Sequence, residues 1–562
     1  MKKFISILTL AVLMIACTDK FEQMNKHSYR VSNKSLEQDF NILGSAFSSV
    51  LNNVMGHQVE EDLSFDNWVR HMGTQTNFTS NINNTTYYVR WNSFWSRTYN
   101  SLMSPAHNTK KLAIEMNLPV FTSWFELMQV VGVAGLTVYH GPVIYTNYGV
   151  PGTSIMYDQE PDLYAAFFKK LDEIHNVFSD NDDNKTIAKF DATYGGDLKK
   201  WLKFINTFRL RLAMRIVKAD PILAKTQGEK AIKDEYGLIL TNADNFMISL
   251  YGSQFPVSQI AYDWQDTKMG AGLEEYLLGY NDPRVEKYFE PVGPGVTEAN
   301  KGTGLTRAEL IADHPTKPYK GIAGGATVLA KDDRIDFSMP SLSFRTMTDR
   351  PYLTASEVNF ILSEAKLRGW DVPKSAREYY EDGVKQSFAF WGAGGADSYL
   401  EDFTSTPIDY VDPWDIKILT DKDGKTSQPY KDTPNSYTTR STMTIKWDDG
   451  DTDERKLERI MTQKWIAAFQ NAKEMWADHR RTGYPMLSFA KKNDSEAVYG
   501  IIRDTDPFPF PLRWPFVQAE WDNNEAGVKD AIQKAGWPAV DGKDTKDQIT
   551  WRLWIHPDKP NF

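Results

Sequence analysis

The chain has 562 residues, 41% of them apolar, and a net charge of −10. The length allows several domains or one large helical assembly around a sizeable core. The acidic balance excludes an electrostatic nucleic-acid footprint. With one cysteine, Cys17, no disulfide can form within the chain.

The first residues read as a targeting segment. Lys2 and Lys3 precede an apolar run from Phe4 to Ile15, which is short for a membrane span. Met14-Ile15-Ala16-Cys17 follows and resembles a bacterial lipobox, in which the cysteine becomes the acylated first residue. Residues 1–16 are then a lipoprotein signal peptide, and cleavage takes the net charge from −10 to −12 by removing Lys2 and Lys3. Acyl chains on Cys17 would hold the protein on a membrane, at about 0.8 kcal/mol per buried methylene. Residues 17–36 are polar and read as a tether. No other stretch reads as the roughly 18 apolar residues of a spanning helix.

Beyond the tether, helical spacing dominates. Phe40, Leu43, Phe47, Val50 and Val54 share one face, and a second helix spans about Val120 to Tyr139. Between them Phe65 to Tyr88 is rich in Asn and Thr, which bond to nearby backbone and favour loops. Helix resumes near Trp91, with Trp95, Tyr99 and Leu102 on one side. His140 to Gly149, H-G-P-V-I-Y-T-N-Y-G, reads as a tight irregular loop. Leu163, Phe167, Leu171, Ile174 and Phe178 line a helix from Tyr157 to Phe178, and Trp201, Ile205, Phe208, Leu212 and Ile216 line the next. Arg209, Arg211 and Arg215 flank that stripe. The row reads as a solvated or salt-bridged flank, with an anion site as the alternative.

Residues 250–350 are rich in Gly and Pro and read as an excursion from the helices. Helical pattern returns at Leu353 and again from Lys374 to Phe390. The two helices span about 35 residues, with small Ala355, Ser363 and Ala365 at the crossing, as in a tetratricopeptide repeat. Residues 395–455 are loop-like. From Arg459 to Pro485, Met461, Trp465, Ala468, Ala472 and Met475 form a helical face that Asn471 can divide. Gly483 can take the left-handed cap, and Pro485 ends the helix. Pro507, Pro509, Pro511 and Pro515 then impose an extended path.

Several of these segments resemble the SusD/RagB-type outer-membrane lipoproteins. They are W-L-K-F-I-N-T-F-R-L-R-L-A-M-R-I from Trp201, L-T-A-S-E-V-N-F-I-L-S-E-A-K-L-R-G from Leu353, and Q-K-W-I-A with E-M-W-A-D-H-R-R-T-G-Y-P up to Pro485. His140 to Gly149, Asn281-Asp282-Pro283-Arg284, and F-P-F-P-L-R-W-P with Glu520 and Asn523-Asn524 resemble further family segments. Two departures are Ile144, where the family usually has Pro, and Ser363, where it usually has Ala. The resemblance implies a mainly α fold, a tetratricopeptide-like scaffold of helical pairs with long irregular excursions carrying little β. The expected layout is a single domain over 37–562, with helical pairs about 37–140, 157–245, 353–390 and 456–485. Excursions cover about 250–350, 395–455 and 490–562. It further implies a non-enzymatic lipoprotein facing outward from the outer membrane. Such a protein binds nutrient, most often glycan, and delivers it to a SusC-like TonB-dependent transporter. Peptide cargo and a surface glycoside hydrolase are the alternatives.

The residues themselves carry no zincin, nucleophile-elbow, P-loop or dinucleotide motif, and no cofactor motif. Asp421-Lys422-Asp423-Gly424 is an incomplete calcium loop and reads as a polar surface turn. The surplus of aromatic residues suits sugar rings, whose C–H faces pack on Trp and Tyr while amides and charged groups bond to hydroxyls. Aromatic and polar residues in loops are therefore the expected ligand contacts: Trp68, Asn77, Phe78, Tyr87 and Tyr88 in the first loop, and Asp263 and Trp264 in the second. Trp95, Trp201, Trp465 and Trp476 lie on helical stripes and read as core.

Overall fold

The computed structural model describes residues 40–152, 154–296, 304–497, 500–540 and 547–562. The signal peptide, Cys17 and the tether lie outside the described residues.

The fold is mainly α. Helix α1 (Asn41–Asn52) packs on α2 (Ser104–Glu115) and α3 (Pro119–His140). α4 (Glu160–Ser179), α5 (Leu198–Arg215) and α6 (Pro221–Lys233) then follow, each packed on its predecessor. Their starts are written locally. Asp197 caps α5 by accepting from the backbone N–H groups of Lys199 and Lys200, at 3.0 and 3.3 Å. Asp220 caps α6 ahead of Pro221. α3 is a correction to the sequence reading, because by length and composition it could cross a membrane, with a mean hydropathy of 1.3. It is apolar all round because it is covered all round: its apolar window is 89% buried.

α8 (Ala355–Leu367) and α9 (Ala376–Trp391), counting α7 as Ala271–Gly279, form the expected antiparallel pair. Ser363 is at the crossing, where its hydroxyl donates to the Ala376 carbonyl at 2.6 Å. Ser375 and Glu378 close a capping box at the start of α9. α10 (Asp453–Ala467) and α11 (Ala472–Thr482) break next to Asn471, and Gly483 caps α11 at φ 82°. Trp95, Trp201, Trp465 and Trp476 are all buried, as their helical spacing implies.

Among the described residues, three two-stranded ladders hold the loops. β2 (Phe246–Ser249) pairs antiparallel with β4 (Asp349–Leu353), so the excursion between them leaves and returns through one neck. β1 (Met72–Thr74) pairs antiparallel with β3 (Thr267–Met269), tying the first loop to that excursion. β5 (Leu419–Thr420) and β6 (Thr426–Ser427) make a hairpin whose tip is Asp421–Gly424. There the Asp421 carboxylate accepts from the N–H groups of Asp423 and Lys425, both at 2.9 Å, as in a self-bonded turn. A second, smaller apolar cluster including Leu310, Ile322, Phe337 and Trp414 packs beneath the excursions, apart from the main core.

The arginine row on α5 is buried, not solvated. Arg211 grips Glu357 of α8 with two charge-assisted bonds of 2.8 and 2.6 Å, and Arg215 pairs with Glu474 of α11. Lys464 pairs with Asp478 at 2.6 Å, and Arg481 bonds to Glu364 at 2.8 Å and to Asp478 at 2.8 Å. Burial alone would raise the Glu474 carboxyl, but Arg215 and Arg211 outweigh it and hold the group down at about 2.

Removing one partner of such a pair strands the other charge. Glu474→Gln should therefore cost about 3–5 kcal/mol in denaturant unfolding at pH 7. A folded carboxyl pKa below the unfolded one gives stability that is present above about pH 4.5 and is lost toward pH 2. The gap between wild type and Glu474→Gln should narrow over that window. A gap independent of pH would show that the charge on Glu474 contributes nothing.

Candidate functional site

The first loop is shorter than its composition suggests. Glu61–Asp66 winds as a π-helix that continues to Trp68. This turns Trp68 inward, fully buried, with its indole N–H donating to the Asn84 carbonyl at 2.7 Å. Its ring packs with Tyr87, Trp476 and Trp514. Tyr87 is buried too, its phenol accepting from Arg70 Nη2 at 2.9 Å. Trp68 and Tyr87 are therefore core residues and not ligand contacts, because neither ring has a face left for a ligand.

The other expected contacts lie at or near the surface. Asn77, Asp263 and Trp264 are exposed, and Phe78 and Tyr88 are half-buried. Phe78 meets Trp91 edge-on, and the Arg90 guanidinium lies 5.3 Å from the Tyr88 ring centre. The β1–β3 ladder sets the two loops side by side. The Gln75 N–H donates to the Asp266 carbonyl at 2.8 Å, and the Thr76 hydroxyl to its carboxylate at 2.6 Å. Lys331 locks both loops by donating to the Trp264 carbonyl at 2.6 Å and accepting from Gln75 Nε2 at 3.0 Å through its own carbonyl.

Next to the first loop, beginning at Ser80 and Asn81, opens a cleft of about 820 Å³. Its far walls come from 432–440 and 488–492. The size suits a small ligand or a short stretch of polymer. Tyr437 and Phe489 line it, with Arg440 4.2 Å over the Phe489 ring and Lys491 5.5 Å from the Tyr437 ring centre. Lysines fasten the walls. Lys492 donates to the Asn81 carbonyl at 2.9 Å and Lys491 to the Ser436 carbonyl at 2.7 Å. Burial pulls the Lys491 ammonium below its ordinary value. In the wall, Asn435 is fully buried, yet neither atom of its side-chain amide has a partner. The Ser488 hydroxyl, also buried, faces the Tyr437 phenol. Unsatisfied buried amides are rare and costly unless a ligand or water completes them. The carboxylates on the lining are Asp432 and Asp504, both exposed.

Glu274, Asp313 and His314 bring possible metal-ligand atoms within 4.8 Å of one another. The Lys320 ammonium already sits between the two carboxylates, at 2.6 and 2.7 Å, so the chain supplies its own cation there.

The family model for SusD-like proteins, described as SusD and RagB outer membrane lipoproteins, matches residues 23–555. The chain belongs to the SusD-like family. Its members are outer-membrane nutrient-binding proteins and not, in general, enzymes. A chitin-binding SusD homologue from Flavobacterium johnsoniae is 32% identical, with a TM-score of 0.80 over 93% of this chain and 100% of that one. SusD homologues from Bacteroides vulgatus (27%, TM-score 0.78, 94% and 100% covered) and Bacteroides thetaiotaomicron (28%, 0.75, 92% and 98%) share the architecture. No match is found among curated proteins.

Sequence reasoning missed Asn435, Tyr437, Arg440 and Phe489. They come from two irregular stretches far apart in the chain, where no periodicity marks an inward or outward face. The aromatic residues were visible, but their convergence was not.

Trp68→Ala should destabilise the fold by about 3–5 kcal/mol, as for other buried Trp truncations. Trp264→Ala, at a site 40% exposed, should change stability by about 0.5 kcal/mol or less. Chemical denaturation of the two variants checks the assignment, and equal losses would overturn it.

Proposed function

We propose that this SusD-like protein captures a glycan at the outer-membrane surface and passes it to a SusC-like TonB-dependent transporter. The observation that carries the reading is the cleft lined by the half-buried rings of Tyr437 and Phe489 and by exposed Arg440 and Asp504, with the buried, unpartnered amide of Asn435 in its wall. Aromatic faces pack against the C–H faces of pyranose rings. A guanidinium, a carboxylate and, once uncovered, a primary amide offer donors and acceptors to hydroxyl or acetamido groups. An acetamido group carries the matching N–H and C=O, so β-linked N-acetylglucosamine is the favoured cargo. The chitin-binding description of the Flavobacterium johnsoniae homologue supports that choice. Asn77, Phe78, Tyr88, Asp263 and Trp264, on the adjoining loops, would extend the contact along the chain.

In this reading residues 1–16 are removed, Cys17 is acylated, and 17–36 form the leash of a single domain over 37–562. Binding leaves the glycan intact, and the barrel partner supplies the energy for import.

Affinity electrophoresis through gels containing glycol chitin, hydroxyethylcellulose, glycogen or mannan tests the capture. Retarded migration with no released reducing ends is expected. Phe489→Ala or Asn435→Ala should weaken binding at least tenfold, equivalent to about 1.4 kcal/mol. Reducing ends appearing in the gel would make the protein a hydrolase. Binding to peptides alone would replace the cargo. Cys17→Ala should move the protein out of the outer-membrane fraction, and retention at the wild-type level would remove the anchor from the account.

A further inference from the structure

A second cleft, sharing no lining residue with the first, runs along one face of the helix that begins as a π-helix at Arg97–Met103 and continues as α2. Tyr99, Asn100, His107, Asn108 and Lys111 recur on that face at helical spacing and line a cavity of about 660 Å³. The opposite wall is the loop from Ile144 to Gly149, with Glu520 at one end. Past the shared His107 and Tyr148, a further cavity of about 340 Å³ continues toward Lys169 and Glu173. The larger cavity is a trough between helix and loop, and the smaller one adjoins it across the His107–Tyr148 pair.

The aromatic part of the trough is fixed in advance. The Tyr99 phenol donates to the Ile144 carbonyl at 3.0 Å and accepts from the Ile144 N–H at 2.8 Å. The Tyr99 and Tyr148 rings lie 6.0 Å apart and within 11° of parallel, and both are half-buried, so each keeps some surface toward the trough. Tyr148 is seated by His107, whose ring meets it edge-on at 5.5 Å. The loop comes that close because residue 149 is glycine. Its φ is +80°, and a Cβ there would lie 3.1 Å from the His107 ring. Below, the Trp95 indole N–H donates to Glu520 at 3.2 Å, and the Tyr157 phenol donates to the same carboxylate. The Asn524 amide holds both polar backbone groups of Ile155, at 3.0 and 2.8 Å.

Three polar side chains that line the trough are not committed in this way. Asn100, Asn108 and Lys111 are exposed and make no side-chain hydrogen bond or ion pair among the described residues. Rigid tyrosine faces beside uncommitted amide and ammonium donors are what a sugar needs, with its apolar ring face and hydroxyl rim.

We propose that this trough is a second saccharide site, holding a short run of pyranose units against Tyr99 and Tyr148, with Asn100, Asn108 and Lys111 bonding to their hydroxyls. The inference rests on the saccharide reading of the cargo given above. It adds a second point of attachment, so one long glycan, or two chains, can be held at once. Linked sites raise the avidity for polymer well above that of either site alone.

Calorimetric titration of the mature protein with chitotriose, cellotriose, maltotriose and mannotriose tests it. For whichever trisaccharide binds, wild type should take two per protein. Tyr148→Ala/Asn108→Ala should take one, and so should Phe489→Ala/Asn435→Ala. Asn100→Ala/Lys111→Ala, which alters only exposed polar groups, should weaken the trough site at least tenfold with an unchanged melting temperature. A wild-type stoichiometry of one that is abolished by Phe489→Ala/Asn435→Ala and untouched by Tyr148→Ala/Asn108→Ala overturns the second site and leaves the first standing. No heat with any of the four sugars overturns both.

Discussion

The structure depends on a buried ionic lattice that joins three distant parts of the chain. Arg211 and Arg215 project from α5, Glu357 and Glu364 from α8, and Glu474, Asp478 and Arg481 from α11. Apolar packing alone would let these helices slide, because leucine and isoleucine contacts tolerate many registers. A bidentate arginine–carboxylate pair does not, since both bonds are lost within about an ångström of displacement. Burial makes the constraint strict, because an unpaired charge at these positions would cost several kcal/mol. The lattice therefore contributes less as net stability than as a fixed relation between helices.

That fixed relation lets irregular segments build a site. The excursion between β2 and β4 hangs from one ladder, and the β4 end runs directly into α8 through Thr354, whose hydroxyl caps the helix at the Glu357 N–H. Glu357 is itself the partner of Arg211, so the neck of the excursion is anchored to the ionic lattice. From there Arg70 carries the order outward. Its guanidinium donates to the carbonyls of Asn67 and Ser488 and to the Tyr87 phenol, at 2.7, 3.1 and 2.9 Å. Ser488 lies in the wall of the larger cleft. The cleft is thus assembled from loops, yet its position is set by side chains within the core.

The legibility of the chain follows the same division. Helix positions could be read because one face of each is apolar at a period near 3.6, and the break at Asn471 could be read from its residue types. The charge on α5 was visible, but its burial was not. Arg211 and Arg215 read as a solvated or salt-bridged flank, and only the fold brings Glu357 and Glu474, about 150 and 260 residues away, against them in the interior. The loops were the least legible. Trp68 and Trp264 both stand in polar, irregular-looking sequence. One fills the core and the other is exposed, although each follows a short π-helix, Glu61–Asp66 and Gln259–Asp263, so no residue pattern announces which way either ring turns. Tyr437 and Phe489 line one cleft because Arg440 bonds to the Leu487 carbonyl and Lys491 to the Ser436 carbonyl, contacts between segments unrelated in sequence.

The separation of scaffold from site also explains how such a fold can change cargo. The carboxylates and guanidiniums of the lattice are buried and paired, and exchanging one leaves a partner stranded. Asn435, Tyr437 and Phe489 hold no helix in register. Their segments are fastened through backbone carbonyls, by Lys491 at Ser436 and by Arg440 at Leu487. A backbone acceptor is present whatever the neighbouring side chain, so the walls would keep their course while the ligand-facing groups vary. A chain built this way can exchange the chemistry of its cleft at small cost to the fold, because the groups that touch cargo and the groups that fix the helices are different groups.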